Sequence, residues 1–286
     1  MDRQRLHLIY NAMSGAFVRG LDLTELRGSI NAAGWTISGE TNLETDELTD
    51  LAALKGSGVD VIAIAGGDGT LISVLNELAG LNDVPPALIL PCGTANLLAR
   101  YVHETIEIDA ILDGALRAEA RWLPLGEANG HLFAVAAAVG VSPALVKFRE
   151  DIRRIGFFGR ARRSLAYLRV GWRSFFRQPF LTDIEGESGP RRATAIYVTC
   201  PDAIVEDGKF LVFGGRMKTV ADLISGLAMA ALPGVDEAGR NWTVETRRLT
   251  VRSPRAIPLI LDGEPAIMSS PVTLEFGHKR VQVLSV

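Results

Sequence analysis

The sequence is poor in several things, and each shortage narrows what it can be. It holds only two cysteines in 286 residues, Cys92 and Cys200, at no paired spacing. That argues against a disulfide framework, and with no secretory leader in view the expected compartment is a reducing cytosol. The four histidines are scattered and form no metal-ligand pattern. No apolar run reaches the roughly 18–20 residues that span a bilayer, so any membrane role is expected to be peripheral, at the inner face. Charge of one sign is also missing. The formal net charge is −3, and without a broad basic field nucleic acid is not an expected partner. What is present is apolar material, 48% of the residues against 22% charged, enough for one large or two modest domains.

The organising stretch is residues 59–70, V-D-V-I-A-I-A-G-G-D-G-T. An apolar run of strand type breaks into Gly66, Gly67, Asp68, Gly69 and Thr70, and a helical pattern follows over residues 71–79. Strand, glycine turn and helix start form a geometry that holds phosphate, because glycine lets backbone N–H groups approach without a Cβ between. A carboxylate beside phosphates is repulsive unless a cation intervenes, so Asp68 points to Mg²⁺. Taken alone, G-G-D-G is equally a tight turn with a capping aspartate. A second stretch changes that balance. Residues 87–90 are again apolar and lead into P-C-G-T-A-N-L-L-A-R over residues 91–100. Upstream, a strand over residues 6–10 leads into N-A-M-S-G at residues 11–15. In open α/β sheets, ligands bind at the carboxyl ends of such strands.

N-x-x-S-G, G-G-D-G-T and P-x-G-T-x-N-x-x-A-R, in this order and spacing, resemble the diacylglycerol kinase catalytic domain. Sphingosine, ceramide and bacterial lipid kinases share it, and NAD kinases belong to the wider superfamily. A late L-D-G-E at residues 261–264 completes the set, and the resemblance runs nearly end to end. It implies an α/β nucleotide-binding domain over residues 1–122 and a β-sandwich lipid-substrate domain over residues 123–286.

The pattern along the chain agrees with that division. Strands are expected at residues 6–10 and 35–41 and helices at 21–33, 47–55 and 108–117, an alternation that implies a doubly wound, mostly parallel sheet. Beyond residue 121 the runs are strand-like and consecutive, which implies an antiparallel sandwich with inserted helices. They fall at residues 121–127, 131–138, 193–200, 210–213, 242–251, 257–261, 272–276 and 281–285. Asn129-Gly130 is a strong hairpin turn signal. Relatives often send a final segment back to the first domain, and with the sequence ending at Val286 that return is expected to be missing or shortened. Residues 147–177 carry ten Arg or Lys among interleaved aromatics and aliphatics. Such a segment suits an anionic membrane surface, although an amphipathic helix with a solvated basic face has the same pattern.

The resemblance assigns chemistry residue by residue. Backbone around Asn11, Ser14 and Gly15, and around Gly66, Gly67, Asp68, Gly69, Thr70, Leu71 and Ile72, would cradle ATP phosphates. Thr41 would contact ATP, as would Gly93, Thr94 and Asn96 from the second turn. Asp68 would hold Mg²⁺. Glu264 would take the proton from the lipid alcohol with Asp262 as its orienting neighbour, and Asp68 is the rival base. Helix-interior Asn76 and Glu77 either support the turn or face solvent. V-E-D-G-K at residues 205–209 matches a structural Mg²⁺ loop whose ligands would be the Asp207 carboxylate and the carbonyls of Ile204 and Lys209; a metal-free turn fits equally. Two departures stand out. Leu97 and Pro124 occupy positions where many bacterial relatives carry aspartate, and Ala12 replaces the usual proline. The expected function is an ATP-dependent lipid kinase acting on a diacylglycerol-like hydroxyl at a membrane surface, with a homodimer left open. The alternatives are an NAD kinase-like phosphotransferase and a non-catalytic nucleotide- or lipid-binding regulator.

Overall fold

The computed structural model describes residues 4–14, 17, 22–46, 48, 51–81, 83–140, 179–201, 208–215 and 241–286. The chain divides into two compact units. The first comprises Met1–Leu125, Asp202–Glu206 and His278–Val286, the second Gly126–Pro201 and Asp207–Gly277.

The first unit is built on a parallel sheet in the order β2-β1-β3-β4: β1 (Arg5–Tyr10), β2 (Thr36–Asn42), β3 (Val61–Gly66) and β4 (Ala87–Pro91). Every residue of β3 and β4 is buried, which explains why both read as unbroken apolar runs rather than alternating ones. Helix α1 (Leu23–Ala32) starts at Asp22, whose side chain accepts from Thr24 N at 2.9 Å, and turns out through Gly34 at φ +100°. Helix α2 (Asp68–Leu78) buries Leu71, Val74, Leu75 and Leu78, an i, i+3, i+4, i+7 stripe. Short α3 (Leu97–Val102) and α4 (Ile108–Ala115) follow. Trp35 is fully buried in this core and donates its indole N–H to the Leu112 carbonyl at 3.0 Å.

Two expectations change here. The helix expected over residues 47–55 is, among the described residues, a 3₁₀ turn at Leu51–Leu54. Only Leu51 and Leu54 are buried there, and Gly56 and Gly58 follow at positive φ, so no apolar stripe long enough to hold a helix exists. The returning segment, expected to be missing or shortened, is present. His278–Val286 belongs to the first unit, with Val283 beside Ala87 in parallel, Glu104 N donating to the Val286 carbonyl at 2.7 Å, and the Ser285 hydroxyl donating to the Val102 carbonyl at 2.6 Å.

The second unit is all-β among its described residues. Strands β5 (Ala120–Ala128) and β6 (His131–Phe133) turn through Asn129 and Gly130, both at positive φ, the geometry that residue pair favours. An antiparallel six-stranded sheet runs β12-β11-β10-β7-β14-β15, from β12 (Asn241–Thr246), β11 (Phe210–Gly215), β10 (Ala195–Thr199), β7 (Ala136–Val139) and β14 (Ile257–Leu261) to β15 (Glu264–Met268). A second antiparallel set joins β16 (Val272–Leu284), β13 (Arg248–Arg252), β8 (Phe180–Ile184) and β9 (Arg191–Ala193). Phe210 of the first set lies between Phe133 and Phe276, at centroid distances of 5.6 and 5.1 Å, and so binds the two sets into one sandwich core.

Four expected strands are divided differently. Residues 242–251 break at Arg247 and the two halves enter different sheets. The Thr246 hydroxyl donates to the Arg248 carbonyl at 2.9 Å and satisfies the corner. Residues 131–138 break at residues 134–135 for a reason given below. Residues 272–276 and 281–285 instead form one strand, β16, with Gly277 at φ +75° inside it. The expected inserted helices and the basic segment at residues 147–177 lie outside the described residues.

Candidate functional site

The loops after β1, β3 and β4 meet at the carboxyl edge of the parallel sheet. Asn11 N donates to the Ala65 carbonyl at 3.2 Å, and its side-chain amide donates to the Thr70 hydroxyl at 3.3 Å. Its Oδ1 accepts from Met13 N at 2.9 Å, which folds the loop back so that the buried Ser14 hydroxyl donates to the Cys92 carbonyl at 3.0 Å. Cys92 N in turn donates to the Gly66 carbonyl at 3.1 Å. The turns after β3 and β4 touch through their glycines. A Cβ on Gly93 would stand 2.7 Å from the Gly67 Cα, a backbone atom with no freedom to yield. Asn96 sits in the left-handed region at φ 50° and accepts from Gly93 N at 2.7 Å.

Asp68 completes the interlock. Gly67 is extended and caps α2, so Asp68, Gly69 and Thr70 form the first helical turn rather than preceding the helix. The Asp68 Oδ1 accepts from Leu98 N at 3.0 Å, at the start of α3. Desolvation raises the Asp68 pKa, opposed by backbone N–H groups of Leu98, Leu97 and Asn96. The motif's polar side chains are thus engaged in joining loop to loop. What the arrangement offers a ligand is main chain: helix geometry leaves the first-turn N–H groups of α2 without intrahelical partners, pointing out at a partial positive charge.

The other expected nucleotide residues are placed as follows. Leu71 is fully buried and its N–H bonds the Gly67 carbonyl at 3.0 Å, so it and Ile72 belong to the body of α2. Thr94 is exposed at the second turn. Thr41 is buried, with its hydroxyl 2.9 Å from His7 Nε2. Burial lowers the His7 pKa, against the raising field of Glu40. His7 had no place in the sequence reading; its signal was a lone polar residue inside an apolar strand. Asn76 and Glu77 are exposed, on the solvated face of α2. Gly15, Ile204 and Asp207 lie outside the described residues, and Lys209 is exposed just before β11.

In the second unit, L-D-G-E is the β14–β15 hairpin. Leu261 pairs with Glu264, while Asp262 and Gly263 form a two-residue turn at φ 46° and 93°. The Asp262 carboxylate turns inward. It accepts from the N–H groups of Ala134, Val135 and Ala136 at 2.6, 2.9 and 2.8 Å, while its own N–H donates to the Ala136 carbonyl. This grip breaks the strand expected over residues 131–138 into β6 and β7. Burial raises the Tyr197 and Cys200 pKa values, and the Asp262 charge adds to both. Asp262 is therefore a brace that holds the turn, and its carboxylate is committed to backbone rather than to Glu264. Glu264 itself is exposed at the start of β15.

Among the described residues, no three His, Cys, Asp or Glu side chains group closely enough to hold a metal. Leu97 is half-buried at the start of α3, and Pro124 is buried in β5. The donor set still fits Mg²⁺ in one form. One carboxylate, Asp68, beside a phosphate cradle suits an ion that arrives with nucleotide phosphates and keeps its waters.

Parallel strands ending in two interlocked glycine turns, with a separate all-β unit, define a class of phosphotransfer protein. A model of the diacylglycerol kinase catalytic domain matches residues 5–130. A Pseudomonas aeruginosa protein named a probable YegS-like lipid kinase is 32% identical over 227 residues, 73% of this chain and 71% of that protein. A Pseudomonas fluorescens counterpart is 28% identical over 84% of each chain. A Staphylococcus saprophyticus diacylglycerol kinase is 31% identical over 139 residues, and the match spans 46% of that enzyme's length. The crystal structure of a Bacillus anthracis diacylglycerol kinase shares the fold, with a TM-score of 0.64 at 17% identity over 100% of this chain and 98% of that one. The chain belongs to the diacylglycerol kinase catalytic-domain family of lipid kinases.

Proposed function

We propose that this enzyme transfers the γ-phosphoryl group of ATP to the hydroxyl of a diacylglycerol-like lipid at a membrane surface. The observation that carries the reading is the interlock of three strand-end loops at the carboxyl edge of the parallel sheet, beside the first turn of α2. Phosphoryl transfer needs positioning and charge neutralisation more than covalent help from protein. The main chain around Gly67, Gly69 and Thr70, with the turn at Gly93 and Thr94, would orient the phosphates. Asp68 would hold Mg²⁺, which when bound neutralises charge on the transferring group. Glu264, exposed at the start of β15, would take the proton from the lipid alcohol; a positioned base is worth roughly 10²–10⁴ in rate. Asp262 would fix the turn from which Glu264 projects. The loop at Ile204, Asp207 and Lys209 would hold a second, structural Mg²⁺.

A regulator that binds nucleotide without turnover is the second reading, supported by Leu97 and Pro124 standing where relatives carry acids. Labelled ATP with Mg²⁺ and a panel of diacylglycerol, ceramide, sphingosine and NAD separates the readings. Phosphorylated diacylglycerol is expected. Phosphorylated NAD, or ATP binding with no transfer, would overturn the proposal. Glu264→Gln is expected to keep ATP affinity and lose about 10²-fold or more in turnover; unchanged turnover moves the base to Asp68.

A further inference from the structure

Among the described residues the large apolar side chains that stand out in water are Met13, Leu181 and Ile267, and Ile267 is the most exposed at 70%. Ile267 has apolar company. The β14–β15 register pairs Pro258 with Ile267 and Ile260 with Pro265. Alternation along a strand puts these four on one face, while Ile257, Leu259 and Leu261 point the other way and are buried. The four include two exposed residues, Pro265 and Ile267, and two half-buried ones. β15 is the end strand of its sheet.

The chemistry of this face selects its occupant. It carries no charge, and one exposed cation adjoins it in sequence. Arg248 and Arg252 are ion-paired with Glu275 and Asp183, whereas exposed Arg255 stands just before β14. Pro265 removes a backbone donor from the edge strand, which disfavours pairing with a second copy. An uncharged apolar face with an exposed arginine beside it complements the boundary between acyl chains and anionic headgroups. The same hairpin carries Glu264.

We propose that the outer face of β14–β15 is a membrane-docking surface, with Ile267 and Pro265 entering the acyl–headgroup boundary and Arg255 meeting anionic lipid. The value of that placement for catalysis rests on the lipid-kinase reading, since it would bring the hairpin that carries Glu264, on its other face beside Leu261, to the lipid surface; the docking itself does not.

The test is co-sedimentation of the full chain with vesicles, without nucleotide. Vesicles of phosphatidylcholine alone are compared with vesicles that also contain phosphatidylglycerol. The chain is expected to bind the mixed vesicles more tightly. Ile267→Glu is expected to weaken partitioning about tenfold or more, and the milder Ile267→Ser less. Arg255→Gln is expected to weaken it about fivefold, on the anionic vesicles only. Leu181→Glu, an exposed apolar position on the other sheet, is expected to change nothing, and circular dichroism checks the fold of every variant. Ile267→Glu is also expected to keep turnover on a short-chain, water-soluble diacylglycerol while losing it on vesicles. Binding of folded Ile267→Glu at the wild-type level would overturn the proposal. So would an equal loss in Leu181→Glu, or a wild-type dimer that Ile267→Glu separates in solution. A wild-type chain that binds vesicles through Ile267 and phosphorylates no lipid would sink the kinase reading and leave the docking surface standing.

Discussion

Two aspartates, one in each unit, do related things with opposite consequences. Asp68 in the first unit and Asp262 in the second both turn a carboxylate onto backbone N–H groups. Asp262 is buried, accepts three such bonds and sits in a turn whose two central residues are both at positive φ. That arrangement makes it the brace of its turn. Asp68 is half-buried in the first turn of a helix, and desolvation raises its pKa even as backbone donors oppose the shift. A carboxylate whose charge is incompletely compensated is the one with something left to offer a cation. The comparison teaches that a motif aspartate is read by how deeply its carboxylate is buried as well as by the backbone donors that face it.

The sharpest way to break the comparison is at the glycines that bring Asp68 to α3. Gly93→Ala puts a Cβ against the Gly67 backbone. We expect the turns to separate and ATP affinity, measured by calorimetry, to fall by about two orders of magnitude or more, the result of misplacing a positioned phosphate. Normal affinity would show that the close approach is not needed.

Next in size is exchange of the aspartates themselves. Asp262→Asn replaces an acceptor of three bonds by an amide that turns its own donors toward the same N–H groups. A stability loss of about 2–3 kcal/mol is expected in denaturant titration. Asp68→Asn, half-buried and facing the N–H groups of Leu98, Leu97 and Asn96 at the start of α3, is expected to cost about 1 kcal/mol or less while removing turnover. Equal losses at the two positions would erase the distinction drawn between them.

The smallest expected effect is on pH dependence. Burial lowers the pKa of both His7 and His103 in the first unit from the ordinary value of 6.5, and His103 is held neutral with Nε2–H on the Ile89 carbonyl. The unfolded chain therefore takes up protons first. Stability is expected to be full above about pH 6.5 and to fall as pH drops below it, until the folded-state values are reached. The raised Asp68 pKa acts with opposite sign at lower pH, near the ordinary carboxyl value of 3.8. Chemical denaturation at pH 7.5 against pH about 5.5 measures the loss, and His103→Gln should flatten it. A flat profile in the wild-type chain would contradict the neutral assignments.

Much of this was legible before any coordinates. Residues 61–66 and 87–91 announce buried parallel strands because they are apolar on both faces, and Asn129-Gly130 announces its hairpin because few other pairs accept positive φ twice. The N-terminus of α2 was misjudged by three residues: glycine has low helix propensity, yet here the extended Gly67 starts the helix at Asp68. The corner at Arg247 was invisible, since the strand pattern continues unbroken across it and only the change of sheet separates its halves. Thr41 looked like a ligand contact by spacing, and its partner His7, in another strand, was not marked by any motif.

The sequence by itself determined which segments are strands, where phosphate-type turns lie and that the chain changes from alternating to consecutive strands, because periodicity and glycine placement are local properties. Only the tertiary structure decided that Asp262 braces three amides, that Gly67 and Gly93 meet, that the final residues return to the first unit and that Ile267 is left in water. Each of these depends on residues far apart in the chain coming into contact, and long-range contact is fixed by packing rather than by local pattern.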